Sequence, residues 1–163
     1  MKPIKVLSLF DGMSGGRIAL DQLNIPVETY YASEIDKYAM KVSQANYPTI
    51  IQLGDILTWR QWNINWSDID LVTGGFPCQA WSLAGKQLGD KDERGKMFWV
   101  MLDIMKKVLK ANPEAYYLME NVRMKKEFED YITTHTQNAL PNVNKYMINS
   151  ALVSAQNRVR FYW

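Results

Sequence analysis

Residues 4–16 read Ile-Lys-Val-Leu-Ser-Leu-Phe-Asp-Gly-Met-Ser-Gly-Gly, an apolar run followed by a glycine-rich turn. The run has the length of a buried strand, and the spacing after it predicts a helix. A strand, a tight glycine turn and a helix start open a β-α-β unit, which places a ligand at the carboxyl end of the strand. The turn departs from the G-x-G-x-x-G dinucleotide fingerprint, which argues against a pyrophosphate. We expect a nucleotide-like ligand; glycines that only permit a tight turn are the alternative.

The same alternation of short apolar runs and helical stripes continues along the chain and predicts an α/β fold with a mostly parallel sheet. The predicted strands are Ile4–Leu9, Val27–Ser33, Ile50–Leu53, Ile69–Thr73, Tyr116–Met119, Tyr146–Asn149 and Val159–Trp163, the last two as a hairpin. The predicted helices are Arg17–Leu23, Asp36–Asn46, Lys96–Ala111 and Lys125–His135, and a loop is predicted at Gln79–Gly95.

Length and composition fit one soluble domain over residues 1–163. Hydrophobic residues make up 47% and charged residues 22%, which excludes disordered and fibrous classes, and no apolar run is long enough for a membrane span. A single cysteine cannot form an intrachain disulfide, and the first residues have no signal-peptide pattern, so we expect a cytoplasmic protein. The net charge of +2 does not identify a partner.

Two acidic residues follow the second and third predicted strands. Glu34 comes after Tyr-Tyr-Ala-Ser, and Asp55 comes after Gln-Leu-Gly. Because the carboxyl ends of parallel strands meet at one sheet edge, a carboxylate at the second can accept from ribose hydroxyls and one at the third from an adenine amino group. With the glycine turn, they predict an adenosine-type ligand. The alternative is a pair of solvated acids or helix caps.

The only cysteine, Cys78, follows the fourth predicted strand in a turn that contains glycine and proline. Glu120 follows the next predicted strand, where a carboxyl group can donate a proton to a ligand. Arg158 and Arg160 are spaced to share one strand face and suit an anionic or carbonyl-bearing substrate. The alternatives are an inert cysteine, a carboxylate that only pairs with an arginine, and a solvated arginine rim.

In this order, FDGMSGG (10–16), SEID (33–36), GDI (54–56), GGFPCQ (74–79), RGKMFW (94–99), MENV (119–122) and QNRVR (156–160) resemble the blocks of the cytosine-C5 DNA methyltransferases. The pair formed by GGFPCQAWSLAGKQ and a downstream ENV is the most discriminating part. The tail looks closer to the phage-type and de novo branches than to the longer bacterial restriction-modification enzymes. The resemblance implies a Rossmann-like methyltransferase fold that uses S-adenosylmethionine.

The resemblance also implies the chemistry. Cys78 would add to C6 of cytosine, because the resulting enamine can attack an electrophilic methyl group through C5. Glu120 would protonate N3, Arg160 would contact O2, and Arg158 would support the loop or a phosphate. The products would be 5-methylcytosine and S-adenosylhomocysteine, without a metal. The target base would have to be flipped out of double-stranded DNA.

The remaining site residues also come from the resemblance. Those assigned to the cofactor are Phe10, Asp11, Gly12, Met13, Ser14, Gly15, Glu34, Ile35, Asp55, Ile56, Pro77 and Met97. The loop Gln79–Gly95 would close over the flipped base, with DNA contacts from Gln79, Ser82, Lys86, Lys91 and Arg94.

The resemblance stops at Trp163, whereas family members continue with a target-recognition region and two closing blocks. We therefore expect a truncated chain whose recognition region lies in a missing continuation or a second chain. We also expect Phe161–Trp163 to form an uncovered apolar strand end. Three alternatives are open: an inactive cofactor-binding remnant, half of a split enzyme, and a tRNA cytosine methyltransferase. A nicotinamide dehydrogenase is disfavoured by the missing fingerprint.

Overall fold

The computed structural model of the protein describes residues 1–81 and 95–163. Its strands are β1 (Ile4–Leu9), β2 (Val27–Ser33), β3 (Ile51–Gln52), β4 (Leu71–Gly74), β5 (Tyr116–Val122), β6 (Tyr146–Asn149) and β7 (Val159–Tyr162). Its α-helices are α1 (Gly15–Gln22), α2 (Lys37–Asn46), α3 (Met97–Ala111) and α4 (Lys126–Ala139). Short 3₁₀ turns lie at Ile56–Gln61, Trp66–Asp68, Cys78–Ala80 and Ser150–Leu152.

The seven strands form one sheet in the order β3-β2-β1-β4-β5-β7-β6. The β1 strand pairs in parallel with β2 and β4, and β2 pairs in parallel with β3. The last strand, β7, is antiparallel to both β5 and β6. The predicted Rossmann-like α/β class, with a mostly parallel sheet and a terminal hairpin, is confirmed.

The chain divides into two compact units. The first comprises Met1–Gly74 and Lys107–Tyr117. Its centre is β1, where Leu9 lies opposite Ser33 of β2 and Gly74 of β4, so these three strands end at the same level. A buried cluster joins strand side chains to the segments that cover them and consists of Val6, Tyr30 and Ala32 of the sheet, Leu20 of α1, and Ile50. Burial of this apolar surface stabilises the strands and holds their carboxyl ends in register.

The second unit comprises Gly75–Lys106 and Leu118–Trp163. The β5 and β7 strands pair with Glu120 opposite Tyr162 and Val122 opposite Arg160. The backbone of Trp163 exchanges hydrogen bonds of 2.8 and 2.9 Å with Met119, and its indole donates to Thr133 at 2.9 Å. Trp163 is only 4% exposed, so the expectation of an uncovered strand end is wrong.

No helix in the described ranges, 1–81 and 95–163, is both long and apolar enough to cross a membrane.

Candidate active site

The loop after β1, in the first unit, has a strained backbone that side chains hold in place. Phe10, Gly12 and Ser14 have left-handed φ angles of 54°, 61° and 62°, a conformation that costs free energy at the two residues with side chains. The carboxylate of Asp11 accepts hydrogen bonds from Ser14 Oγ at 2.5 Å and from the Tyr30 hydroxyl at 2.8 Å. The loop is therefore fixed before any ligand binds.

Glu34 ties the end of β2 to this loop. Its Oε2 accepts from the Gly12 amide at 2.8 Å, and its Oε1 accepts from the amides of Ile35 and Asp36 at 2.8 and 2.9 Å. A carboxylate has about four acceptor positions, so these bonds leave one position free on Oε2. The geometry thus leaves Glu34 able to accept from one ligand hydroxyl without giving up a loop contact.

Open space lies next to the first loop. A Cβ added at Gly12 or Gly15 would meet no atom within 4 Å, and Met13 is 61% exposed. Ile35 is 74% exposed directly after Glu34, so its side chain offers an apolar surface to a ligand. Surface of this kind, beside oriented acceptors, suits an adenosine-type ligand.

The end of β3 is joined to the end of β2, because Ser33 Oγ donates to the carbonyl of Gly54 at 2.8 Å. The next residue, Asp55, accepts from the Leu57 amide at 2.9 Å and caps the 3₁₀ turn Ile56–Gln61. Ile56 is only 5% exposed, so it packs in the core, whereas Asp55 is exposed. Of the two predicted adenine contacts at this strand end, only Asp55 presents its side chain to solvent.

Tyr30 is a buried support of the loop that the sequence prediction missed. Burial raises the pKa of its phenol well above the ordinary value of 10.0, and the Asp11 carboxylate adds to the effect. In the unfolded chain the phenol ionises near pH 10, whereas the folded chain keeps its proton. The stability that Tyr30 contributes is therefore present below pH 10 and lost as the pH rises above it.

We expect Tyr30→Phe to lower the free energy of unfolding at pH 7 by about 1 kcal/mol, because Asp11 loses a donor. Above pH 10 the loss should shrink, since the variant has no phenol to ionise at this position. Urea unfolding at pH 7 and at pH 10.5 measures both differences. Tyr116→Phe, which changes an exposed phenol, is the matched control. A gap between wild type and Tyr30→Phe that stays constant with pH would contradict the assignment.

In the second unit, Cys78 begins a 3₁₀ turn shortly after β4, and its thiol is free and half-buried. Two bonds hold the backbone around it. The Asn121 side chain, itself only 1% exposed, donates to the carbonyl of Phe76 at 2.9 Å, and the Trp81 amide donates to the carbonyl of Cys78 at 2.9 Å. The turn that carries the thiol is thus anchored on both sides.

Glu120 and Arg160 form an ion pair in the second unit. Arg160 Nε lies 2.8 Å from Glu120 Oε1, with side-chain exposures of 16% and 32%. The Nε–H is not aligned with the carboxylate, and Nε has no hydrogen-bond partner in the part of the chain that the structure describes. The contact is an ion pair rather than an aligned hydrogen bond.

Gly75 gives the Glu120 carboxylate the space it occupies. A Cβ at position 75 would stand 2.8 Å from Glu120 Oε2, closer than side-chain carbons approach other atoms. Only glycine therefore fits here without displacing the carboxylate. This close approach links the GGFPCQ segment to the ENV segment within the second unit.

The other predicted site residues of the second unit that the structure describes are exposed or half-buried. Arg158 is exposed and precedes β7, and among the described contacts its guanidinium makes none with Glu120 or Cys78. Pro77 and Met97 are half-buried, and Gln79 is exposed. The predicted DNA contacts Ser82, Lys86, Lys91 and Arg94 lie outside the described residues.

One family model, "C-5 cytosine-specific DNA methylase", matches residues 4–162 of the chain. The chain belongs to this DNA methylase family.

Several curated methylases of bacteria are similar over almost the whole chain. Type II methyltransferase M1.ScrFI of Lactococcus lactis subsp. cremoris is 38% identical over 97% of this chain and 40% of its own length. M.NlaX of Neisseria lactamica is 34% identical over 97% of this chain and 50% of its own length. M.HhaI of Haemophilus parahaemolyticus is 32% identical over 98% of this chain and 48% of its own length. The chain spans half or less of the length of these methylases.

The fold of this methylase chain is also found in a solved structure. The crystal structure of S. pombe Dnmt2 methyltransferase matches with a TM-score of 0.69 and 22% identity, over 99% of this chain and 48% of that one. At this identity the match supports the fold alone.

Proposed function

We propose that this chain is the catalytic and cofactor-binding part of a DNA cytosine-C5 methyltransferase. Its reaction moves a methyl group from S-adenosylmethionine to C5 of cytosine in double-stranded DNA. The observation that carries the proposal is the anchored turn of Cys78, in the same unit as the Glu120–Arg160 pair. A thiol can add to a pyrimidine ring, an acid can protonate a ring nitrogen, and a guanidinium can bind the ring carbonyl, so these three groups together suit such an addition.

In the proposed reaction, the Cys78 thiolate forms a bond to C6 of a cytosine flipped out of the duplex. Glu120 takes up a proton from solvent when the base enters and gives it to N3 as the C–S bond forms, while Arg160 holds O2 and remains next to Glu120. C5 then takes the methyl group and loses its proton to a base. The C–S bond breaks as N3 returns its proton to Glu120, which releases neutral 5-methylcytosine and the thiolate. Arg158, which is exposed, supports the loop or contacts a phosphate.

The first unit is proposed to hold the cofactor. When bound, S-adenosylmethionine supplies an electrophilic methyl group. The free acceptor position on Glu34 receives a ribose hydroxyl, and Ile35 packs on the adenine. The fixed loop from Phe10 to Gly15 faces the methionine part, and Asp55 accepts from the adenine amino group. The donors and acceptors present in this unit fit such a ligand, because oriented oxygens lie beside an exposed apolar side chain.

Methyl transfer tests the proposal directly. The protein expressed from its complete gene is incubated with unmethylated double-stranded DNA and tritium-labelled S-adenosylmethionine, and the digested nucleosides are separated. We expect the label in 5-methylcytosine. The control is the same DNA in which every cytosine already carries a 5-methyl group, and it should accept no label. Label in another base, or transfer to a tRNA transcript but not to DNA, would overturn the proposal.

Glu34→Ala tests the cofactor assignment separately. We expect S-adenosylhomocysteine to bind more weakly by roughly 1–3 kcal/mol, because a ligand hydroxyl loses its acceptor and the Gly12 amide loses its anchor. Isothermal titration calorimetry measures the difference. Glu28→Ala, which removes an exposed carboxylate from β2, the strand that Glu34 follows, is the control and should bind like wild type. An unchanged affinity in Glu34→Ala would remove Glu34 from the cofactor site.

A further inference from the structure

Trp81 is fully buried three residues after Cys78, within the second unit. Its side chain is 1% exposed and lies in contact with four aromatic rings. Three of them are edge-on and one is stacked: Phe76 at 6.2 Å, Phe98 at 6.1 Å, Phe128 at 5.6 Å and Tyr131 at 5.9 Å between centroids. Pairs at these separations stabilise a buried cluster beyond the area they bury, so the ring of Trp81 is held from several sides.

Two members of this aromatic cluster, Phe76 and Trp81, lie on either side of Cys78 in the chain. Phe76 precedes the cysteine by two residues and is 2% exposed, and its ring contacts that of Trp81. The Trp81 amide closes the turn by donating to the carbonyl of Cys78 at 2.9 Å. A shift of the indole would therefore displace the backbone of Cys78.

Among the described residues, no hydrogen bond of the indole nitrogen holds Trp81 in place. Nε1 is buried and has no hydrogen-bond partner in residues 1–81 and 95–163. An unpaired buried donor opposes folding, so among the described residues the favourable contacts of the Trp81 side chain are those of its ring. A phenylalanine would keep much of that packing and remove the unpaired donor.

We propose that Trp81 is a positioning residue for Cys78, whose packed ring fixes the turn and thereby the place of the thiol. The proposal rests on the proposed function for its catalytic consequence, since addition to C6 requires sulfur and carbon to be aligned at close range. It extends that function to a residue that touches neither the reacting base nor the cofactor. Without the Trp81 ring, the turn around Cys78 should no longer fix the position of its thiol.

Cys78 is the single cysteine of residues 1–163, so alkylation that mass spectrometry maps to the peptide carrying it reports on that thiol. Three variants are compared with wild type in their rate of reaction with iodoacetamide at fixed pH, in methyl transfer and in thermal unfolding. Trp81→Ala removes the ring, and Trp81→Phe restores a ring without the indole nitrogen. Ile132→Ala is the control, since it removes a fully buried aliphatic side chain of α4 in the same unit.

In Trp81→Ala we expect alkylation to accelerate roughly tenfold, because the loosened turn exposes the half-buried thiol. Methyl transfer should fall about 10²-fold, mainly in kcat. Trp81→Phe should return both rates to within about threefold of wild type. Ile132→Ala should melt earlier and yet keep both rates near wild type. Trp81→Leu, which retains apolar bulk without a ring, replaces Trp81→Ala if that variant is unfolded by circular dichroism, with the same expectation.

A folded Trp81→Ala or Trp81→Leu variant that is alkylated at the wild-type rate or more slowly would overturn the proposal. So would an Ile132→Ala variant with the same acceleration, because the effect would then follow stability rather than the turn. Alkylation needs no DNA, so this outcome is separate from the fate of the proposed methyl transfer. If wild type transfers no methyl group while alkylation follows the expected pattern, the proposed function fails and the control of the thiol by Trp81 stands.

Discussion

Replacing Cys78 by serine is expected to abolish the covalent trapping of DNA that carries 5-fluorocytosine at the target position. In the proposed reaction the bond between sulfur and C6 is released only after the C5 substituent leaves as a proton, and fluorine cannot leave in that way. Wild-type protein supplied with S-adenosylmethionine should therefore transfer the methyl group and then stay attached to such DNA. A serine hydroxyl is almost entirely protonated at neutral pH and is a far weaker nucleophile than a thiolate. Methyl transfer should fall by at least about 10³-fold.

Denaturing electrophoresis and mass spectrometry of the digested adduct measure the result. DNA with ordinary cytosine at the same position is the control, since its adduct resolves and should not accumulate. An adduct that persists in Cys78→Ser, or that maps to another residue of wild type, would show that the nucleophile has been assigned wrongly. Binding of the variant to the fluorinated DNA without attachment is compatible with the proposal.

Glu120→Gln is expected to lower the rate of methyl transfer by roughly 10²–10⁴-fold, the usual contribution of general acid catalysis. Glutamine keeps the shape and a hydrogen-bond donor but cannot give up a proton to N3. Affinity for target DNA should change much less, because the proton matters chiefly as charge develops on the ring. Single-turnover methylation and a DNA-binding titration separate the two effects.

The ion pair of Glu120 with Arg160 gives a second explanation for slower methyl transfer in Glu120→Gln, and the same experiment must exclude it. If Glu120 only neutralises Arg160, then Glu120→Gln leaves a largely buried guanidinium without its counter-ion and lowers the melting temperature. The rate would then fall only in proportion to unfolding. Gly75→Ala adds a second comparison, because it keeps the carboxylate but forces it from its place. A near-wild-type rate in a destabilised Glu120→Gln variant would remove Glu120 from the mechanism.

Much of the fold could be predicted because local pattern and structure coincide. The predicted bounds of β1, β2 and β6 agree with the structure, since each strand is bounded by turn residues. The β5 strand runs three residues beyond its predicted end, to Val122. This extension depends on pairing with β7, which lies about forty residues later in the chain, and no local pattern reports such a partner. The 3₁₀ turns could not be predicted for a different reason, because such short turns have no apolar period.

Candidate site residues could be predicted from the sequence at strand ends, whereas the buried residues that support them could not. Glu34 could be predicted from its place after β2, and the structure joins it to the first loop. Asn121 and Tyr30 were not predicted to anchor anything, because a polar residue inside an apolar strand does not reveal its partner. Asn121 carried one usable signal: an amide within the run Tyr-Tyr-Leu-Met-Glu-Asn-Val must find a hydrogen bond if buried.

The two units are interleaved along the chain, and this has a consequence during synthesis on the ribosome. The first unit needs Lys107–Tyr117 in addition to Met1–Gly74, and the second begins at Gly75 and resumes at Leu118. When the ribosome has just synthesised β4, the nascent chain can therefore complete neither unit. Translation adds about 5–20 residues per second, so the first unit must wait some seconds for its last segment. During that interval its apolar strands are open to chaperones and to misassembly, and a pause in translation before codon 107 should lower the yield of folded protein.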